Sequence, residues 1–181
     1  MTLEEIGIKS LFDRMIAYSK ELSTGISIKD AINIFNTVKE LEGIPGSLAE
    51  VGVAGGSSAM IMAEAKKEKT LLLFDTFEGL PDPSEKDREG AFHKGQYATS
   101  FAAVQSFFNQ FYPNVNIYEG LFPQETGQIV QNEKFSFVHL DVDLYKSTKD
   151  CLEFFWPRMT VGGKIITHDI NEQGVKTAFD E

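Results

Sequence analysis

The chain has 181 residues, 42% of them apolar and 24% charged, with a formal charge of −10, a balance that suits one globular unit with a sizeable core. Its acid excess, with no cluster of Lys or Arg to meet phosphates, argues against nucleic acid as a main partner, and no apolar run approaches the roughly 18 residues of a membrane span. A single cysteine, Cys151, excludes an intrachain disulfide and a thiolate metal cluster, and the acidic start Met1-Thr2-Leu3-Glu4-Glu5 lacks the form of a secretion signal, so the expected location is the cytoplasm.

The first stretch, about 3–42, reads as helical. Ile6, Leu11, Met15, Ile16 and Leu22 are spaced as one helical face, and Ile28, Ile32, Phe35, Val38 and Leu41 as a second. Ser23-Thr24-Gly25 breaks them. Gly43-Ile44-Pro45-Gly46 then separates a helical cap, 1–44, from a main body, 45–181. In that body short apolar runs predict strands at Leu48–Val53, Thr70–Phe74, Val115–Tyr118, Phe135–Leu140 and Lys164–Thr167. Helical stretches fall between them at Ser58–Lys67, Phe101–Phe111, Pro123–Gln131 and Ser147–Trp156. Such alternation argues for an α/β fold with a parallel sheet and helices on both faces. Ser147 and Asp150 give the last helix a weak capping-box signal, and Pro157 ends it. The segment 76–100 is a long polar loop, either a binding loop or plain surface.

Four places carry chemistry. Glu50-Val51-Gly52-Val53-Ala54-Gly55-Gly56-Ser57-Ser58 follows the first strand and opens a helix, where glycines let the backbone approach a ligand and free N–H groups attract negative charge. It lacks the Gly-Lys-Ser/Thr of a phosphate loop and departs from Gly-x-Gly-x-x-Gly. Glu50 at the strand end suits a ligand with an ammonium group, such as S-adenosylmethionine, better than a pyrophosphate. Asp75 closes the second strand 20 residues after Gly55, the spacing that puts a carboxylate on ribose hydroxyls. Asp141 and Asp143 follow the fourth strand, and His168 and Asp169 the fifth. If those two strands are neighbours, Asp141, His168 and Asp169 can converge on a divalent cation, with Asp143 nearby as a proton acceptor. His139 reads as a core histidine, and His93 lies in the long loop.

Ordered motifs tie these pieces together: Ala49-Glu50-Val51-Gly52-Val53, Phe74-Asp75-Thr76-Phe77-Glu78-Gly79-Leu80-Pro81, Gly120-Leu121-Phe122 before Glu125-Thr126, His139-Leu140-Asp141-Val142-Asp143-Leu144-Tyr145, Gly162-Gly163 and Gly174-Val175-Lys176. With them the chain resembles the macrocin O-methyltransferase family. The resemblance implies a Rossmann-like class I methyltransferase sheet and methyl transfer from S-adenosylmethionine to a hydroxyl of a small molecule, with sugars as the family's usual acceptors. It implies that Glu50, Gly52, Gly55, Gly56, Ser57 and Ser58 hold the methionine part of the cofactor. Asp75, Thr76 and Phe77 would surround the ribose, and Gly120 and Leu121 would border the adenine. Asp141, which also borders the cofactor, and Asp169 would bind Mg2+ or Mn2+, and Asp143 would be the general base beside Asp141. The chain departs from the family at Ala54-Gly55-Gly56-Ser57 and at His168-Asp169, where the histidine favours a softer metal.

Two other functions compete: a nicotinamide-dependent oxidoreductase on the same kind of sheet, and a cofactor-binding domain without activity. Strands six and seven of the full class have no counterpart, which would leave Lys164–Thr167 as an open edge. Gly174 to Glu181 begins an amphipathic helix without a stop signal. The expectation is a fragment of a longer gene product, with weak catalysis and better preserved cofactor binding; a homodimer that hides the edge is the other reading.

Overall fold

The computed structural model describes residues 2–20, 22 and 25–181; Ser23 and Thr24 of the expected break lie outside the described residues. Thr2 starts α1 (Leu3–Tyr18) with a capping box: its side chain accepts from Glu5 N, and Glu5 accepts from Thr2 N. Ser27 caps α2 (Ile28–Glu40) by accepting from Asp30 N. Then follow β1 (Ser47–Val51), α3 (Ser57–Ala65), β2 (Leu71–Asp75), α4 (Phe101–Phe111), β3 (Val115–Glu119), β4 (Phe135–Leu140), α5 (Tyr145–Phe155), β5 (Met159–Thr167) and α6 (Gln173–Asp180).

The sheet is fully parallel, in the order β3-β2-β1-β4-β5. The chain moves outward one way from β1 to β3 and crosses to the other side for β4 and β5. The direction of winding therefore reverses between β1 and β4, the place where open α/β sheets leave a crevice at the strands' carboxyl ends.

Side chains alternate across the strands, so each face has its own core. Leu48, Leu71, Leu73 and Phe137 pack under α1–α4 with Met15, Ile34, Ile61 and Phe107. Ala49, Val51, Leu72, Phe74 and Val138 pack on the other face with Phe122, Cys151 and Phe155. Six phenylalanines (74, 107, 108, 135, 137 and 155) are wholly buried; they dominate both cores, because each ring removes a large apolar area from water. Every residue of α3 except Glu64 is buried, because the helix is covered by the sheet on one side and by α1 and α2 on the other. The N-terminal helices and the sheet thus share one core.

Several sequence expectations shift. Of the face inferred for the first helix, Met15 and Leu22 are buried and Leu11 packs against the core, while Ile6 and Ile16 are exposed and Ile8 takes an inward place. In α2 the buried positions are Ala31, Ile34, Thr37 and Val38, with Ile32 and Phe35 only half-buried. The helix expected at Pro123–Gln131 is reduced to a 3-10 turn at Gly127–Val130. Pro123 can give no N–H, and among the described residues only two isolated i→i−4 bonds form before the turn, Glu125 N to the Leu121 carbonyl and Gly127 N to the Pro123 carbonyl. β5 begins five residues earlier than expected, at Met159. Its pairing with β4 jumps from Phe135↔Met159 to Phe137↔Lys164. The extra residues bulge outward through Gly162, at φ +84°, and carry Val161 into solvent. α5 starts at Tyr145, ahead of the Ser147–Asp150 pattern, and its own N-cap, Leu144, makes no side-chain bond.

Candidate active site

A cleft of about 480 Å³ opens over the carboxyl ends of β1, β2 and β4, at the reversal point of the sheet. One wall is the turn after β1. Gly52 has φ +85°, and a Cβ there would lie 1.8 Å from the Asp141 carbonyl oxygen. The exits of β1 and β4 touch at this point, and only a residue without a side chain lets them do so. Gly52, Gly55, Ser57 and Ser58 line the cleft, with α3 opening from the turn so that its first N–H groups point toward the cavity. Gly56 does not line it. Its φ is +85°, and its α-carbon faces Met15 and Phe108 at about 3.2 Å from an added Cβ, so it serves packing against α1 and α4.

Asp75 lines the cleft and braces the turn. Its Oδ2 accepts from Val53 N at 2.7 Å and Ala54 N at 2.8 Å, and its Oδ1 accepts from Phe77 N at 2.6 Å. Each carboxylate oxygen accepts about two bonds, so Oδ1 alone keeps a free position. Phe77 turns inward with φ +57° and packs against Phe101 at 5.1 Å, while Thr76 faces the cleft. Gly120 and Leu121 follow β3 along its far side; Glu125 fixes that turn by accepting from Leu121 N.

Glu50 is wholly buried beneath the floor. The Nδ1–H of His139 donates to its Oε1 at 2.7 Å, and its Oε2 has no partner among the described residues. Buried carboxylate oxygens are nearly always satisfied, so an unpaired one marks a place for a donor or cation.

The opposite wall is acidic. β4 and β5 are neighbours, and they bring Asp141 and Asp169 together. The Asp141 carboxyl lies well above the usual carboxylate range: burial is the largest cause, followed by Asp169, Glu50 and Asp143. Asp143, held at φ +57°, has its carboxyl pushed up to about 7 by burial and by the charges of Asp169 and Glu172. Its backbone N donates to Asp169 Oδ2 at 3.3 Å. His168 also lines the cleft but is exposed. Among the described residues no three His, Cys, Asp or Glu side chains form a group able to hold a metal ion.

Sequence reasoning missed part of the lining. Arg88, Phe92, Gln96 and Tyr97 of the long loop, and Glu172 ahead of α6, face the same cavity. Arg88 is the only Arg or Lys among the described lining residues, and it pairs with Glu172 at 3.5 Å. Nothing local marks these residues; their role depends on where the loop folds back.

The comparisons with known proteins agree with this geometry. The family model described as Macrocin-O-methyltransferase (TylF) matches residues 27–181. Demethyldecarbamoylnovobiocin O-methyltransferase of Streptomyces niveus is 31% identical over 162 residues, covering 81% of this chain and 62% of that protein. A tetracenomycin-C rhamnosyl 4'-O-methyltransferase of Streptomyces olivaceus is 33% identical over 142 residues, 71% of this chain and 54% of its own length. The solved structure of the O-methyltransferase NovP superposes with a TM-score of 0.74 at 30% identity, covering 86% of this chain and 71% of that one. The chain thus spans less than two thirds of the length of both of these curated relatives.

Proposed function

Because the chain belongs to the macrocin O-methyltransferase family, we propose that it transfers a methyl group from S-adenosylmethionine to a hydroxyl of a glycosylated small molecule. Both relatives above are named as O-methyltransferases, and the one from Streptomyces olivaceus is named for a rhamnosyl-bearing acceptor. The observation that carries the reading is the cleft itself, with a glycine turn and a ribose-distance carboxylate on one wall and raised carboxyls on the other. Residues 1–44 act as helical cover and 45–181 as the cofactor-binding body.

S-adenosylmethionine, when bound, supplies the methyl as a sulfonium electrophile. The residues present suit it. The Gly52–Ser58 turn and the N-terminus of α3 would receive the carboxylate of its methionine part, and the unpaired Glu50 Oε2 would accept from the ammonium. The remaining position on Asp75 Oδ1 would take a ribose hydroxyl, and Gly120 with Leu121 would flank the adenine. The acceptor hydroxyl then lies toward Asp143. A carboxyl pushed up to about 7 is a far better proton acceptor than an ordinary aspartate, and a general base works best with its pKa near the working pH. Asp143 would therefore be placed to take the hydroxyl proton when the oxygen receives the methyl, with S-adenosylhomocysteine as the leaving group.

Asp141 and Asp169 are the pair that would hold Mg2+ or Mn2+, since a cation between two buried carboxyls relieves their repulsion. Exposed His168 gives them no third donor in this arrangement, so water would have to complete the shell of an ion held there. The open β5 edge, with Val161 and Trp156 exposed, is where a second copy would dock; sedimentation of the purified chain tests this.

The test of function is a transfer assay with methyl-labelled S-adenosylmethionine and a panel of glycosides and phenols, beside calorimetry with S-adenosylhomocysteine. Label in a glycoside hydroxyl supports the reading. Binding of NADH with no binding of S-adenosylhomocysteine would transfer the cleft to a nicotinamide enzyme, and binding without transfer would leave a cofactor-binding domain.

A further inference from the structure

The long loop 76–100 has no helix or strand of its own, yet it forms a wall of the cleft. Three consecutive residues hold it. Lys86 donates to the Tyr145 hydroxyl at 2.8 Å and pairs with Glu181 at 2.5 Å. Arg88 pairs with Glu172. Both pairs involve largely exposed cations, and exposed ion pairs add little.

Asp87 between them is different. It is 7% exposed, and its carboxylate accepts three hydrogen bonds. Oδ1 takes Tyr145 N at 2.7 Å; Oδ2 takes Ser84 N and Ser84 Oγ, each at 2.7 Å. Tyr145 opens α5, whose own N-cap residue contributes no side-chain bond. A residue 58 positions away in sequence therefore supplies the cap. Gly174 of α6 leaves the room: a Cβ there would lie 2.1 Å from Asp87 Oδ1 and 2.9 Å from Tyr145 N. This gives the glycine at 174 a physical cause.

We propose that Asp87 is a positioning residue for the cleft: seated between the start of α5 and Gly174, it fixes the loop so that Arg88 stands beside Glu172 at the acidic, acceptor end. The proposal rests on reading the cleft as the cofactor and acceptor site. Asp87 touches neither; it acts through Arg88 and the loop residues that follow it along the wall. The lock needs both its parts, an acceptor at 87 and no side chain at 174.

Hydrogen exchange read by mass spectrometry, with and without S-adenosylhomocysteine, tests this. Asp87→Ala and Gly174→Ala should each speed exchange across 84–98 and around Tyr145 by about tenfold or more, while β1–β4 keep their protection. In the wild type S-adenosylhomocysteine should slow exchange in 88–97. Both variants should lose that protection while the ligand's Kd changes by less than about threefold. Asp87→Asn retains an oxygen for Tyr145 N and should restore most of it, which a general loss of stability would not. Lys94→Ala, which removes the exposed pair with Asp82 in the same loop, should change nothing. If Asp87→Ala fails to fold, Gly174→Ala and Asp87→Asn carry the test. Wild-type exchange across 84–98 in these variants, or a loosened loop that the ligand still protects, overturns the proposal. If the wild type does not bind S-adenosylhomocysteine, the methyltransferase reading fails, and ligand-free exchange still decides whether Asp87 is the anchor.

Discussion

Replacing Asp75 by alanine should damage both the turn and cofactor binding, and the structure sets the sizes. Its carboxylate accepts from Val53 N, Ala54 N and Phe77 N at 2.6–2.8 Å. Val53 and Phe77 are buried and Ala54 is half-buried, so water can reach only part of what is lost. A bond to a charged acceptor contributes about 1.5–3 kcal/mol, and a donor left buried and unpaired costs about 1–3. Partial rehydration at Ala54 offsets some of the loss, which leaves roughly 2–5 kcal/mol for Asp75→Ala as a whole. Urea unfolding of the ligand-free chain measures it. In binding, the loss of one ribose bond to an ionised acceptor weakens S-adenosylhomocysteine by about tenfold to a hundredfold. Adenosine, which keeps the ribose but lacks the methionine part, should weaken by a similar factor. Glu50→Gln makes the contrast: it should weaken S-adenosylhomocysteine and leave adenosine unchanged. Unchanged affinity for both ligands in a folded Asp75→Ala protein would remove Asp75 from the site. Unchanged stability would refute its role in bracing the turn.

Further predictions follow from the same geometry. Gly52→Ala places a methyl group 1.8 Å from the Asp141 carbonyl at φ +85°. It should destabilise the chain by roughly 2–4 kcal/mol from left-handed strain plus overpacking; a urea midpoint equal to wild type would contradict this. The raised carboxyls of Asp141 and Asp143 bind protons more tightly in the folded chain than in the unfolded one, where they titrate near about 3.9. Their contribution is therefore fully present below about pH 4; that of Asp143 is lost as pH rises through about 7, and that of Asp141 falls away in the same direction. In chelator and without cofactor, Asp143→Asn should melt above wild type at pH 8, and the difference should shrink toward pH 5. Methyl transfer should fall on chelation and return with magnesium or manganese, with Asp141→Asn and Asp169→Asn each mimicking chelation; full turnover in excess chelator would discard the ion.

The strands were legible because parallel strands covered on both faces are written as nearly unbroken apolar runs, as in Leu71-Leu72-Leu73-Phe74. The polar residue that ends each run marks where the strand meets the cleft, so Asp75, Asp141 and Asp143 could be placed at the carboxyl edge from sequence alone. Gly52 was legible as a turn glycine. Helix faces were less so: with Ile6, Ile8, Leu11, Met15 and Ile16 all in α1, several stripes fit, and only packing against α2 and α3 selects Ile8 and Met15. The tertiary structure alone decided which strands are neighbours, and with that the meeting of Asp141 with Asp169. It gave Gly56 to the contact with Met15 and Phe108, and it engaged Asp75 with the backbone of the turn as well as the cleft. It also brought Arg88 to the wall and Asp87 to the start of α5. A sequence pattern records what a residue does within a few positions of itself. These partners lie 21 to 84 positions apart, and only the order of strands in the sheet and the path of the long loop bring them into contact.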